Sequence, residues 1–120
     1  MICKLSELCS KYPKMVPEKS LMAPFAYWGF ECNDGWYELI DELCADLQTL
    51  TDQGHPQLKM MQVKEKFGAL RFNAPGGSDA QKSLIRAAQQ KSLTICELCG
   101  NPGSLDMSGS WHKVRCNNCK

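Results

Sequence analysis

Cys96-Glu97-Leu98-Cys99-Gly100, answered after the spacer 100–115 by Cys116-Asn117-Asn118-Cys119, is the stretch that decides how this chain closes on itself. The four cysteines stand as C-x2-C-x16-C-x2-C, a spacing that reads as a tetrathiolate zinc site. Each C-x2-C pair can fold as a tight turn that points two sulfurs at one ion. A sixteen-residue spacer is long enough for a small hairpin that returns the second pair, and Gly100 supplies the permissive backbone that such a turn wants. The expected ligands are therefore Cys96, Cys99, Cys116 and Cys119, holding Zn2+. Four protein ligands leave no open position, so the spacing predicts an ion that stabilises folding rather than one that activates water. Trp111 in the spacer is expected to cover the thiolates, and His112 reads as a surface residue beside Lys113 and Arg115.

Upstream of Cys96, Leu93-Thr94-Ile95 runs into the ligands without a linker, so a four-cysteine zinc module over 94–120 is expected to pack on a body over 29–93. Ser78-Asp79-Ala80-Gln81 is a capping box, which predicts a helix to about Ser92 with Leu84, Ile85 and Ala88 on its buried side. Residues 73–77 form a turn. Residues 59–66 and 69–73 read as two strands around Phe67-Gly68, with Met61 and Val63 on one face and Leu70 and Phe72 matched to them. Asn33 or Asp34 can cap a helix starting near Gly35. Trp36, Leu39, Ile40, Leu43, Leu47 and Leu50 recur on one face of that helix at the helical period. The cluster Phe25, Tyr27, Trp28 and Phe30 reads as a core anchor, with a stacking platform for bases as the alternative. Pro13, Pro17 and Pro24 break any long helix before it, so residues 1–28 are expected to form an irregular wrap or N-terminal arm with little regular structure beyond 2–11. The fold class is α+β: two helices packed on a β-hairpin with a C-terminal zinc knuckle or ribbon.

The formal charge of +1 hides an uneven distribution. Residues 31–58 carry seven acids and no lysine or arginine, whereas residues 59–92 carry seven bases against two acids. Four thiolates on one zinc ion add −2, which takes the loaded protein to about −1 and weakens any nucleic-acid argument built on whole-chain charge. Two local surfaces remain. Glu38, Asp41, Glu42 and Asp46 lie opposite the apolar stripe of the first helix and offer an acidic face for a partner, or a solvated face without a role. Lys64, Lys66 and Arg71, joined by Lys113 and Arg115, offer phosphate contacts on a two-stranded ribbon, or solubilising charge.

Eight cysteines in an oxidising compartment would form a disulfide scaffold. The opening Met1-Ile2-Cys3-Lys4-Leu5-Ser6-Glu7 shows no apolar signal-peptide core, and no apolar stretch approaches membrane-spanning length. The expectation is a reducing, cytoplasmic setting without membrane partners, in which Cys3, Cys9, Cys32 and Cys44 are reduced and partly buried. No catalytic residues are assigned. Paired C-x2-C motifs also frame small His-Asn-His nucleases, but here Leu105-Asp106-Met107 offers an acid without its histidine, and the chain holds only His55 and His112. A non-enzymatic protein is expected, with a metal-dependent nuclease as a further alternative.

Three stretches taken together, Gly29-Phe30-Glu31-Cys32 with Asp34-Gly35-Trp36, then residues 63–72 with the central Lys66-Phe67-Gly68-Ala69-Leu70-Arg71-Phe72, then Cys96-Glu97-Leu98-Cys99-Gly100 with Trp111 and Arg115-Cys116, resemble a group of short, uncharacterised proteins of bacteriophages and prophages. The last ligand position of that group is often His, where Cys119 stands here. The resemblance implies a viral accessory context: a protein that binds and blocks a host protein or nucleoprotein complex, including host-defence complexes in the manner of an anti-CRISPR inhibitor. The alternative is a nucleic-acid-binding zinc module using the basic β-hairpin.

Overall fold

A computed structural model describes residues 4–18, 24–107 and 112–119. Its elements are helices α1 (Glu7–Lys11), α2 (Pro24–Trp28), α3 (Tyr37–Asp52) and α4 (Asp79–Lys91), and strands β1 (Phe30–Glu31), β2 (Gln62–Lys66), β3 (Ala69–Asn73), β4 (Ser104–Asp106) and β5 (Lys113–Arg115). The α+β arrangement read from the sequence is present. The helices α3 and α4 pack against the β2–β3 hairpin, and the cysteine module follows as a second small hairpin, β4–β5.

Trp36, just ahead of α3, and Leu39, Ile40, Leu43 and Leu47 on it are buried in one core with Val63, Leu70 and Phe72 from the hairpin. Helix α4 opens on the expected capping box: Gln81 N donates to Ser78 Oγ at 3.3 Å, and Ser78 N donates to Gln81 Oε1 at 2.9 Å. The Gln81 side chain is fully buried and its amide donates onward to the Pro56 carbonyl at 2.8 Å, so one residue both starts the helix and ties it to the loop after α3. His55 serves the same junction, its Nδ1 lying 2.8 Å from Ser78 Oγ.

Strand order is β1-β2-β3, with β1 parallel to β2 and β2 antiparallel to β3. The third strand, β1, escapes sequence reading because two residues have no period to detect. The outer edge of β3 is closed by side chains rather than by another strand: Leu70 N donates to Ser92 Oγ at 2.9 Å and Phe72 N to Gln89 Oε1 at 3.0 Å. Such capping removes the open amides that make an exposed edge a template for aggregation.

Of the wrap or arm expected at the N-terminus, the described residues 4–18 and 24–28 form the wrap. Leu5, Leu8, Tyr12, Met15 and Phe25 are buried in the same core as α3 and the sheet. The prolines set its turns, as expected, but its apolar residues find partners far along the chain. Met60 N donates to the Met15 carbonyl at 2.7 Å and Phe25 N to the Met61 carbonyl at 2.9 Å. Of the two expected caps, Asn33 stands at the N-cap of the helical segment without a side-chain bond, and Asp34 has another use. The Asp34 carboxylate accepts from the amides of Lys4 and Leu5, both at 3.1 Å, and a 3-10 turn over Asp34–Trp36 leads into α3 instead. Strand β2 begins at Gln62, three residues later than the pattern suggested. The aromatic cluster divides: Phe25 is buried and meets Phe30 edge-on at 4.8 Å, while Tyr27 and Trp28 are exposed. Cys3 and Trp111 lie outside the described residues. Among those described, no helix is long and apolar enough to cross a membrane.

Candidate metal centre and charged surfaces

The two C-x2-C turns meet as their spacing requires. The sulfurs of Cys96, Cys99, Cys116 and Cys119 all lie within 4.8 Å of one another, and Cys99 Sγ is 3.5 Å from Cys116 Sγ. A tetrahedron with metal–sulfur bonds of about 2.3 Å has edges of about 3.8 Å, so the four sulfurs fit one ion after small adjustments. Each turn is closed by its own backbone: Gly100 N donates to the Cys96 carbonyl at 2.9 Å and Cys119 N to the Cys116 carbonyl at 3.1 Å.

The local field divides the four thiols, favouring thiolate at Cys96 and Cys116 and the proton at Cys99 and Cys119. Burial pushes the Cys96 thiol up, but backbone hydrogen bonds at Cys116, Cys99 and Leu98 outweigh it and hold the group below the ordinary thiol range. Cys119 moves the opposite way, because its hydrogen bonds to Cys116 and Cys99 keep its proton in place. Four sulfurs this close cannot all ionise alone. A divalent cation replaces the shared protons and lets all four do so.

The module is joined to the body through backbone rather than through a linker. Gly35 N donates to the Glu97 carbonyl at 2.7 Å, and Trp36 Nε1 donates to the Ile95 carbonyl at 3.0 Å. A Cβ added at Gly35 would meet the Glu97 and Cys96 carbonyl oxygens at 2.2 and 2.3 Å, so only glycine allows this approach. Glu97 sits inside the first C-x2-C turn and is buried. Its carboxylate accepts from Asn33 N at 3.0 Å and pairs with Arg115 at 3.5 Å. Sequence reading missed Glu97 and Gly35 as joining residues, although an acid flanked by two metal ligands was a signal that it needed a partner.

The acidic face is partly committed to structure. Asp41 accepts from Lys11 Nζ at 2.9 Å and from the Tyr12 hydroxyl at 2.5 Å, which pins the N-terminal wrap to α3. Glu38, Glu42 and Asp46 are exposed. Of the expected phosphate contacts, Lys64 and Arg71 are direct cross-strand partners, on the face opposite the buried Val63, Leu70 and Phe72. Lys66 follows on the same side by alternation. Arg115 departs from that reading: its guanidinium is turned to Glu97 and to the Val114 carbonyl at 2.9 Å, because the buried carboxylate needs a cation more than solvent does. Lys113 lies opposite Asp106 on β4. Of the other cysteines, Cys44 is buried and burial pushes its thiol up to about 12, while burial also raises Cys9. Both are poor nucleophiles in this state.

The Asp41 contacts carry a pH signature. The hydrogen bond from Tyr12 and the bond from Lys11 together hold the Asp41 carboxyl below its usual range, against the opposing effect of burial. Its stabilisation is therefore present above the unfolded pKa and is lost as pH falls through the folded one. Thermal melts from about pH 3 to pH 7 should show a shallower acid-side fall for Asp41→Asn than for the parent chain. Identical slopes would remove Asp41 from the account.

Comparison with family models, with curated proteins and with solved structures found no match for this chain.

Proposed function

We propose that this chain is a non-enzymatic binding protein, of the accessory type that mobile elements encode, which binds and blocks a host protein or nucleoprotein complex while a zinc ion at Cys96, Cys99, Cys116 and Cys119 holds its shape. The observation that supports this reading most is the four-cysteine cluster: four sulfurs of one chain lie within 4.8 Å of one another, and tetrathiolate zinc without an open position is structural. Soft thiolates favour zinc over magnesium or calcium. With the metal assigned to folding, the exposed rings of Tyr27, Trp28 and Phe67 and the acidic side of α3 remain as surfaces for a partner. Glu38, Glu42 and Asp46 are exposed on that side, and the last two border a shallow groove between α3 and α4 floored by Leu39, Leu43, Leu84 and Ala88. An apolar floor beside carboxylates suits a basic, partly apolar protein surface.

The test is capture from bacterial lysate by tagged, metal-loaded protein, with nuclease added, followed by mass spectrometry. A defined host protein should survive nuclease and be lost about ten-fold or more from Glu38→Lys/Glu42→Lys, where charge reversal at a complementary surface costs several kcal/mol. Zinc content should be unchanged in the variant. Capture that is equal for the two proteins would count against the acidic face, and absence of any retained host protein would count against the function.

A further inference from the structure

Phe67, at the tip of the β2–β3 hairpin, has φ +54 and is the one non-glycine with positive φ among the described residues. Left-handed backbone strains a bulky side chain by about 1–2 kcal/mol, and turns of this kind favour Asn, Asp or Gly. Burial offers little compensation, because the residue is 69% exposed. Its contacts within the chain, to His112 and Lys66, lie on the surface, and an aromatic held outward against its backbone preference points to a contact outside the chain.

The tip is also firmly seated. Gly68 N donates to Glu65 Oε2 at 2.7 Å. A Cβ on Gly68 would meet Leu105 Cδ1 at 2.5 Å and Lys113 N at 3.3 Å, so the turn rests directly on the β4–β5 hairpin of the metal module. From that module the His112 ring faces Phe67, with centroids 6.3 Å apart and planes at 57°. Lys66 Nζ lies 5.7 Å from the Phe67 centroid. Lys64 and Arg71 stand side by side behind it on the open face of the sheet. The register brings one acid to that face, Glu31 opposite Lys64, and Gln62 Nε2 donates to its carboxylate at 3.1 Å.

We propose that the hairpin tip and the sheet face behind it bind single-stranded nucleic acid, with Phe67 stacking on a base through its outward face, His112 supporting the ring from the module side, and Lys64, Lys66 and Arg71 neutralising the phosphates. A lone outward ring among lysines and arginine is the equipment of sequence-tolerant single-strand binding, where every base presents a stacking face. A duplex hides those faces, so the ring would be wasted on it. The inference rests on the binding-protein reading above and assigns the nucleic-acid part of the complex to this surface, separate from the acidic side of α3.

The test is fluorescence polarisation of a labelled oligothymidylate strand with full-length, metal-loaded protein across a salt series. Phe67→Asn should keep or raise the melting temperature, since asparagine tolerates the left-handed region, and should weaken binding about five-fold or more, the loss of one stacked base. Lys64→Glu and Arg71→Glu should each reduce the slope of log affinity against log salt by about 1. The proposal is overturned by a parent protein that does not bind the strand at low salt, by Phe67→Asn binding as tightly as the parent, or by tighter binding to the duplex than to the strand. Nuclease-resistant capture of a host protein by a chain that ignores the oligonucleotide would overturn this inference and leave the wider function standing. Strand binding without any host capture would do the reverse.

Discussion

Removal of the metal by a strong chelator should lower the melting temperature by about 15 °C or more. A tetrathiolate ion contributes many kcal/mol to the folding of its module, and each kcal/mol is worth about 4 °C in a chain of this size. Without the ion, the four sulfurs within 4.8 Å of one another must share protons unevenly, with Cys96 driven toward thiolate and Cys119 away from it. Nothing then balances the thiolate charge, and the two turns separate. The effect should reach beyond the module, because Trp36 and Gly35 hydrogen-bond to Ile95 and Glu97 on the way into α3. Cys116→Ser should reproduce the loss without chelator. Because ligands must shed protons to bind, metal affinity should fall as pH falls. An elemental assay paired with melts checks this directly: a metal-free preparation that melts with the loaded one would show that the cysteines do not hold the structure.

Gly35→Ala should be the most damaging single-methyl change available. Its Cβ would lie 2.2 Å from the Glu97 oxygen and 2.3 Å from the Cys96 oxygen, and both atoms belong to backbone that also carries a metal ligand. Side chains can rotate away from an intruding methyl, but this backbone can move only by withdrawing the whole C-x2-C turn from the start of α3. That withdrawal breaks the Gly35–Glu97 and Asn33–Glu97 bonds. Overpacking without room to relax costs about 3 kcal/mol or more, a fall of about 12 °C. Gly76→Ala is the control. Its Cβ would meet nothing within 4 Å at φ +89, so it bears only the left-handed strain of about 1 kcal/mol. Equal melting temperatures for the two variants would refute the close approach between body and module.

The readings that succeeded on residues 36–50, 78–92 and 96–119 share a cause. Helical period, a capping box and ligand spacing are local features of the chain, and a few neighbouring residues specify each of them. The readings that failed involve residues whose local role was displaced by a distant partner. Asp34 has the chemistry of a helix cap, but its carboxylate accepts from the amides of Lys4 and Leu5 some thirty residues earlier. Asp41 looked like part of a free acidic face and instead holds Lys11 and Tyr12. Arg115 looked like a phosphate contact and instead neutralises the buried Glu97. In the N-terminal stretch the prolines left a wrap and an arm equally open, and the burial of Leu5, Leu8 and Met15 in the common core chose the wrap.

By itself, then, the sequence determined the four-cysteine cluster, the two principal helices and the hairpin, since each follows from residue types at fixed short intervals. The tertiary structure decided which charges are tied up within the fold, that Leu5, Leu8, Tyr12 and Met15 belong to the core, and that Phe67 is held outward on a turn seated against the cysteine module. A charged side chain chooses among the partners that folding brings within about 3 Å, and an exposed strained ring becomes visible only when its backbone angle and its surroundings are known together.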